Sequence, residues 1–207
     1  MNHAAPGRAD ARRAPRLVRV GLAVVIAAII TTLGDQSVPS SATSFGEFLR
    51  GDRHGGLGEA DGLVADGMSI FDDEVPAVAN LDPGLLKALR RAATDAATDG
   101  VELQVNSGWR SHQYQEQLLR EAASEYGSEQ EAARWVSTAN TSAHVSGDAV
   151  DIGPLTATAW LSEHGAHYGL CQIYRNEPWH FELRPEAPRR GCPRMYADPT
   201  HDPTMQR

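Results

Sequence analysis

TSAHVSGDAVD, residues 141–151, sets two candidate metal ligands, His144 and Asp151, seven residues apart around a glycine. That separation is neither a helical i,i+4 pair nor a same-face strand pair, which needs an even offset. The two side chains converge only if the chain turns between them, and Gly147 permits the turn. AVDIG, residues 149–153, then reads as a short buried strand. A second island, NEPWHFE at 176–182, adds Glu177 and His180. Pro178 between them argues against a helix interior, so this is not the helical H-E-x-x-H arrangement. Residues three apart on a strand face opposite sides, so Glu177 projects from the lead-in and His180 from the strand proper. One can ligate while the other stands off as a base. A catalytic zinc requires three protein ligands, an open position for water and a base that does not bind the metal. The two islands contain enough residues to build that site. Taken singly, His144 also reads as a polar surface residue of a Gly/Ser-rich loop, and Glu177 as a surface acid beside a packed His180.

Outward from the islands, the chain alternates helix and strand signals. Asp82 with Pro83 reads as an N-cap and first helical position. Leu85, Leu86, Leu89, Ala92, Ala93 and Ala96 then recur at helical spacing until Gly100. VELQVN, residues 101–106, alternates as a strand, and SGWRS, residues 107–111, is the turn out of it. Arg110 in that turn could hold a substrate carboxylate or an oxyanion, or else form a surface salt bridge. Helices are predicted over 113–126, 128–136 and 156–164, and strands over 169–174 and 178–183. Residues 71–79 are predicted as an extended crossing. The tail from Arg184, with five prolines, is predicted to wrap rather than fold independently.

Composition bounds the rest. Hydrophobic content of 41% and charged content of 22% are ordinary for a globular protein. Residues 1–42 carry five arginines against Asp10 and Asp35; the remainder carries 14 basic and 25 acidic residues. So acidic a body excludes nucleic acid as the expected partner, since phosphate binding relies on basic surface. Residues 20–33 are a run of fourteen without a charge behind the basic flank. The pattern predicts a signal peptide or a membrane anchor over 1–42, and hence an extracytoplasmic protein in contact with the membrane only through that segment. Residues 43–70, rich in Gly, Ser, Asp and Glu, are predicted as a flexible linker, leaving 71–207 as the folded domain. Cys171 and Cys192 lack paired C-x-x-C spacing. In an oxidising compartment they read as one disulfide, contributing about 3 kcal/mol in the chain-entropy model; two separate buried thiols are the alternative.

SGWRSHQYQ (107–115), SAHVSGDAVDIG (142–153) and NEPWHFE (176–182) resemble, in order and style, the zinc peptidases of family M15, and most closely the VanY-type D-alanyl-D-alanine carboxypeptidases. The resemblance spans about Phe71 to Pro199. It implies an α+β domain with a small antiparallel sheet and flanking helices, shared with the hedgehog signalling domain. It implies zinc as cofactor, held by His144, Asp151 and His180, with Glu177 as general base and Arg110 stabilising the oxyanion. It places Gln115 and Ser142 near the substrate. The implied reaction removes the C-terminal D-Ala from peptidoglycan stem peptides, and the protein is expected to act as a monomer. D,D-dipeptidase, L,D-carboxypeptidase or endopeptidase cleavage by the same site, or a non-catalytic zinc or cell-wall binding module, are the alternatives. Trp109 replaces the family's usual Tyr, and the Glu and Gln of S-E-H-Q-x-G are Ala143 and Val145 here. Those changes bear on substrate preference, not on the metal.

Overall fold

The computed structural model describes residues 56–206. The predicted signal or anchor lies outside the described residues. Among the described residues, no helix is long and apolar enough to cross a membrane. Five short strands, β1 (Met68–Ser69), β2 (Gln104–Ser107), β3 (Ala149–Gly153), β4 (Leu170–Gln172) and β5 (His180–Leu183), form one sheet in the order β1-β2-β3-β5-β4. Every neighbouring pair is antiparallel. With its helices this is the expected α+β domain.

Strand alternation assigns the two faces. Val105 pairs with Ile152 and Val150 with Phe181. All four enter the main core with Leu85, Leu89 and Leu161. Those leucines come from the helices α2 (Pro83–Thr98) and α6 (Leu155–His164). One position along, Ser107 pairs with Asp151 and Asp151 with His180. That polar row points away from the core, because successive strand side chains face opposite sides. A shift in β2 pairing between Val105 and Ser107 brings Ser107 opposite Asp151. Bulges of this kind commonly re-aim side chains beside functional sites. Asp151 sits on the central strand, and all five β3 residues are buried.

The helix α2 follows its sequence signals. The Asp82 carboxylate accepts from the backbone N–H of Gly84 (2.8 Å) and Leu85 (2.9 Å), Pro83 takes the first position, and Gly100 follows with φ +74°. The other helices are α1 (Pro76–Ala79), α3 (His112–Tyr126), α4 (Glu129–Ala132), α5 (Ala143–Ser146) and α7 (Ala187–Arg190). A second apolar cluster, including Tyr114, Leu118, Ala122 and Val136, packs α3 against α4.

Several boundaries differ from expectation. The crossing over 71–79 ends in the short α1. The helix predicted over 128–136 is only the single turn α4. His144 lies on the turn α5 rather than in an open loop. The largest correction concerns the predicted linker, because its described part packs onto the domain. Asp61 accepts from Ser111 through both its carbonyl (2.8 Å) and its carboxylate (3.0 Å). β1 pairs with β2, and Ile70 joins the main core. Those anchors lie between 35 and 50 residues away in sequence, so local composition does not reveal them.

Gly147 closes α5 with φ +80°, and its carbonyl accepts from the Asp82 N–H at 2.9 Å. A Cβ there would collide with the Asn80 carbonyl oxygen. Gly147→Ala is therefore expected to destabilise the domain by about 2 kcal/mol or more, measured as a lowered urea midpoint at unchanged slope.

Candidate metal centre

His144, Asp151 and His180 meet on the polar face of the sheet, all buried. His144 Nε2 lies 3.2 Å from His180 Nδ1 and 3.4 Å from Asp151 Oδ1, and His180 Nδ1 lies 3.2 Å from the same oxygen. A tetrahedral ion with bonds of about 2.0–2.1 Å separates its ligand atoms by about 3.3–3.4 Å. The three donors already stand at the edge lengths of such a tetrahedron.

Both imidazoles are oriented from behind. His144 Nδ1 donates to the Gly108 carbonyl at 2.8 Å, leaving the Nε2 lone pair for the cluster. His180 is turned the other way, with Nε2 on the Glu182 carboxylate at 3.1 Å and Nδ1 inward. The Asp151 carboxylate is divided: Oδ1 faces the two histidines, and Oδ2 accepts from Arg110 Nη2 at 2.9 Å.

Arg110 is only 3% exposed, so the surface salt bridge is not what the structure contains. Its Nε donates to Ser107 Oγ (2.7 Å) and its Nη1 to Gln115 Oε1 (3.1 Å). Gln115 is fixed in turn by donating to the Ser137 carbonyl at 2.9 Å. Three of the five guanidinium N–H groups are thus used within the protein. Arg110 and Gln115 both line the small cavity at the cluster, whose volume is about 20 Å³. That is room for about one water. Trp135, Tyr174 and Glu177 line it too, as do Pro199 and Met205 of the tail. Ser142 is buried at the N-cap of α5 and does not line this cavity.

Glu177 stands off, with Oε2 3.8 Å from His180 Nδ1. Its Oε1 is buried without a protein hydrogen-bond partner. A buried carboxylate oxygen left unpaired is costly unless something else in the site satisfies it. This oxygen suits a water bound in the cluster, so both the donor set and the orphaned oxygen fit a four-coordinate ion with one open position.

The charge state of the metal-free cluster follows from its contacts. Burial pushes the Glu177 carboxyl up to about 8, against the pull of His180. Burial would also raise Asp151, but His144, His180 and Arg110 outweigh it and hold the carboxyl well below the usual range. His144 is lowered by burial and by the Arg110 charge. His180 is pushed up to about 10; burial opposes this, and its hydrogen bonds to Asp151 and Glu182 prevail.

Glu182 and the Gly108 carbonyl were not among the residues singled out in the sequence, nor were Ser107 and the Ser137 carbonyl. Glu182 lies two positions after His180 on the same strand, so same-face alternation was the available signal. The Gly108 carbonyl carries no side-chain signal at all. The tail is held across the site by the Cys171–Cys192 disulfide, an ion pair from Arg134 to Asp198 (3.3 Å) and a hydrogen bond from Tyr174 to Asp202 (3.1 Å).

The profile of the VanY family, described as D-alanyl-D-alanine carboxypeptidase, matches residues 78–186. A D-alanyl-D-alanine carboxypeptidase of Enterococcus faecalis (strain ATCC 700802 / V583) is 32% identical over 111 residues, covering 42% of this chain and 41% of the relative. The chain thus spans about two fifths of the length of the curated relative it matches. Among solved structures, a mutant of the vancomycin-resistance D,D-pentapeptidase VanY in complex with Zn(II) is 27% identical, with TM-score 0.47, covering 50% of this chain and 72% of that one. VanYB in complex with D-alanine-D-alanine is 28% identical, with TM-score 0.48 and coverages of 50% and 71%.

Proposed function

The chain belongs to the VanY family of D-alanyl-D-alanine carboxypeptidases, and from that premise we propose that it is a zinc-dependent D,D-carboxypeptidase. It removes the terminal D-Ala from peptidoglycan stem peptides outside the cytoplasm and acts as a monomer. His144, Asp151 and His180 hold the ion. The observation that carries this reading is the tetrahedral spacing of those three donors beside the unpaired oxygen of a buried Glu177. Zinc bound there supplies a Lewis acid and brings the pKa of a coordinated water toward neutrality.

The remaining work falls to side chains. Glu177, standing off from the three donors, takes the proton of the attacking water and returns it to the departing amine. Arg110 keeps two N–H groups beyond its bonds to Ser107, Gln115 and Asp151, and offers them to the oxygen of the scissile carbonyl as charge develops. Gln115 fixes the guanidinium plane. Ser142 supports the site through the start of α5. A pure binding module has no use for a buried, unpaired general base, which favours the enzyme. The tail residues Pro199 and Met205 wall a small cavity.

The test is metal content of the purified chain together with D-Ala release from a pentapeptide ending in D-Ala-D-Ala. About one zinc per chain is expected, with release abolished by chelator and restored by added zinc. Zinc without D-Ala release would overturn the assigned bond, and the products from defined muropeptides would then identify a dipeptidase, an L,D-carboxypeptidase or an endopeptidase. A chain that takes up no zinc would overturn the site.

A further inference from the structure

We infer that Glu182 is a positioning residue for the metal centre: it locks His180 into the tautomer and ring orientation that present Nδ1 to the ion, and Arg184 in turn holds Glu182. The inference rests on the metal-site reading above. It concerns a residue outside the ligand set, the base and Arg110.

The geometry begins with β5. His180, Glu182 and Arg184 are spaced two apart, so the first two share one face of the strand and the third continues the line just beyond its end. Glu182 Oε1 lies 3.1 Å from His180 Nε2, and Oε2 accepts from Arg184 Nη2 at 2.7 Å. Each carboxylate oxygen therefore has its own partner. Across the sheet Glu182 sits between Ala149 and Cys171, both fully buried and without an ionisable side chain. A carboxylate 7% exposed in such a row needs a compensating partner on both oxygens. A strand built only for packing would carry an apolar residue there.

The two histidines show why the contact matters. An imidazole can ligate through either nitrogen, and the one that ligates must carry no proton. His144 is fixed by a main-chain carbonyl, that of Gly108. His180 has no such backbone acceptor; its outer nitrogen meets a side chain that a substitution can remove. With Glu182 accepting the Nε2 proton, the lone pair is left on Nδ1, the atom that lies 3.2 Å from both His144 Nε2 and Asp151 Oδ1. An anionic acceptor behind a ligating imidazole also strengthens it as a donor, and loss of such a partner typically weakens metal binding about 10- to 100-fold. Tyr174 packs its ring 5.2 Å from that of His180. This contact restrains the ring but does not choose between its nitrogens.

The experiment measures zinc affinity of the full chain by chelator competition, alongside the visible spectrum of the cobalt(II)-loaded protein. Glu182→Ala is expected to weaken zinc about 10- to 100-fold and to alter the cobalt bands. Glu182→Gln keeps an acceptor and loses the charge, so its loss is expected to stay within about 10-fold with near-native bands. That rescue by the conservative variant is one a merely structural role would not give. If the alanine variant fails to fold, Glu182→Leu, which keeps the bulk and removes both acceptor oxygens, is expected to weaken zinc about 10- to 100-fold in its place. Affinity of Glu182→Ala within about two-fold of wild type, with an unchanged cobalt spectrum, would overturn the role. Wild-type chain that takes up no zinc would overturn the metal site itself, and Glu182's role with it.

Discussion

Replacing Glu177 with Gln is expected to lower D-Ala release by about 10²–10⁴-fold while zinc content stays at the wild-type level. Glu177 is 5% exposed and 3.8 Å from the nearest ligand nitrogen, so the substitution leaves the three donors in place and removes only the proton acceptor. Turnover near wild type would rule the residue out as the base. The same variant carries a second, opposite expectation for the metal-free protein. The folded-state carboxyl is raised from 4.5 to about 8, so folding favours its neutral form. A raised group contributes stability that is full below the unfolded pKa and is lost as pH rises through the folded one. Gln cannot ionise and escapes that loss. The stability gain of metal-free Glu177→Gln should therefore grow between pH 4.5 and about 8 and level off above, reaching on the order of 5 kcal/mol. Thermal melts across that range would show it. A gain that falls with rising pH would contradict the burial account of Glu177.

Asp151→Ala carries the second large effect, because one carboxylate serves two partners. Its loss removes a metal ligand and also leaves the buried Arg110 guanidinium without its anion. Breaking a buried pair by removing one partner costs about 3–5 kcal/mol, most of it the unpaired charge that remains. Zinc uptake should vanish together with that stability. The two losses separate in the double variant Arg110→Met with Asp151→Ala. Stability should return by more than half, since no lone charge is left, while zinc binding stays lost. Urea unfolding of both single variants and the double variant gives the coupling energy directly. Losses that simply add would mean that the 2.9 Å ion pair is not the connection between them.

Where the sequence was legible, the signals were local. Asp82, Pro83 and the apolar spacing through Ala96 mark α2 because caps and periodicity are written within a single helix. AVDIG marks the central strand for the same reason, and Gly147 marks the turn that lets His144 and Asp151 converge. The packed arm before residue 71 was not legible. Asp61 binds Ser111, and β1 pairs with β2, through main-chain and carboxylate contacts that no apolar pattern announces. Residues 128–136 carry helical spacing, yet only one turn forms, since Trp135 and Val136 turn instead into the cluster with Tyr114 and Leu118. Arg110 was readable as chemically important; its burial against Asp151, 41 residues away, was not. Glu182 stood within a quoted motif, but its meaning depends on which nitrogen of His180 faces inward. That is a fact of tertiary geometry.

The polar row through Ser107, Asp151 and His180 ties the metal centre to the order in which the molecule assembles. Asp151 and His180 lie 29 residues apart, and His144 and His180 lie 36 apart, so no local fragment can gather the ligands. A strand paired one residue out of step would turn its ligand toward the apolar side and offer the ion nothing. Contacts of such long sequence separation form late, after the entropy of closing their loops has been overcome. The ion can therefore enter only a chain that has essentially finished folding, and a chain threaded unfolded across a membrane would carry no metal with it. Zinc loading would then report that the chain has finished folding.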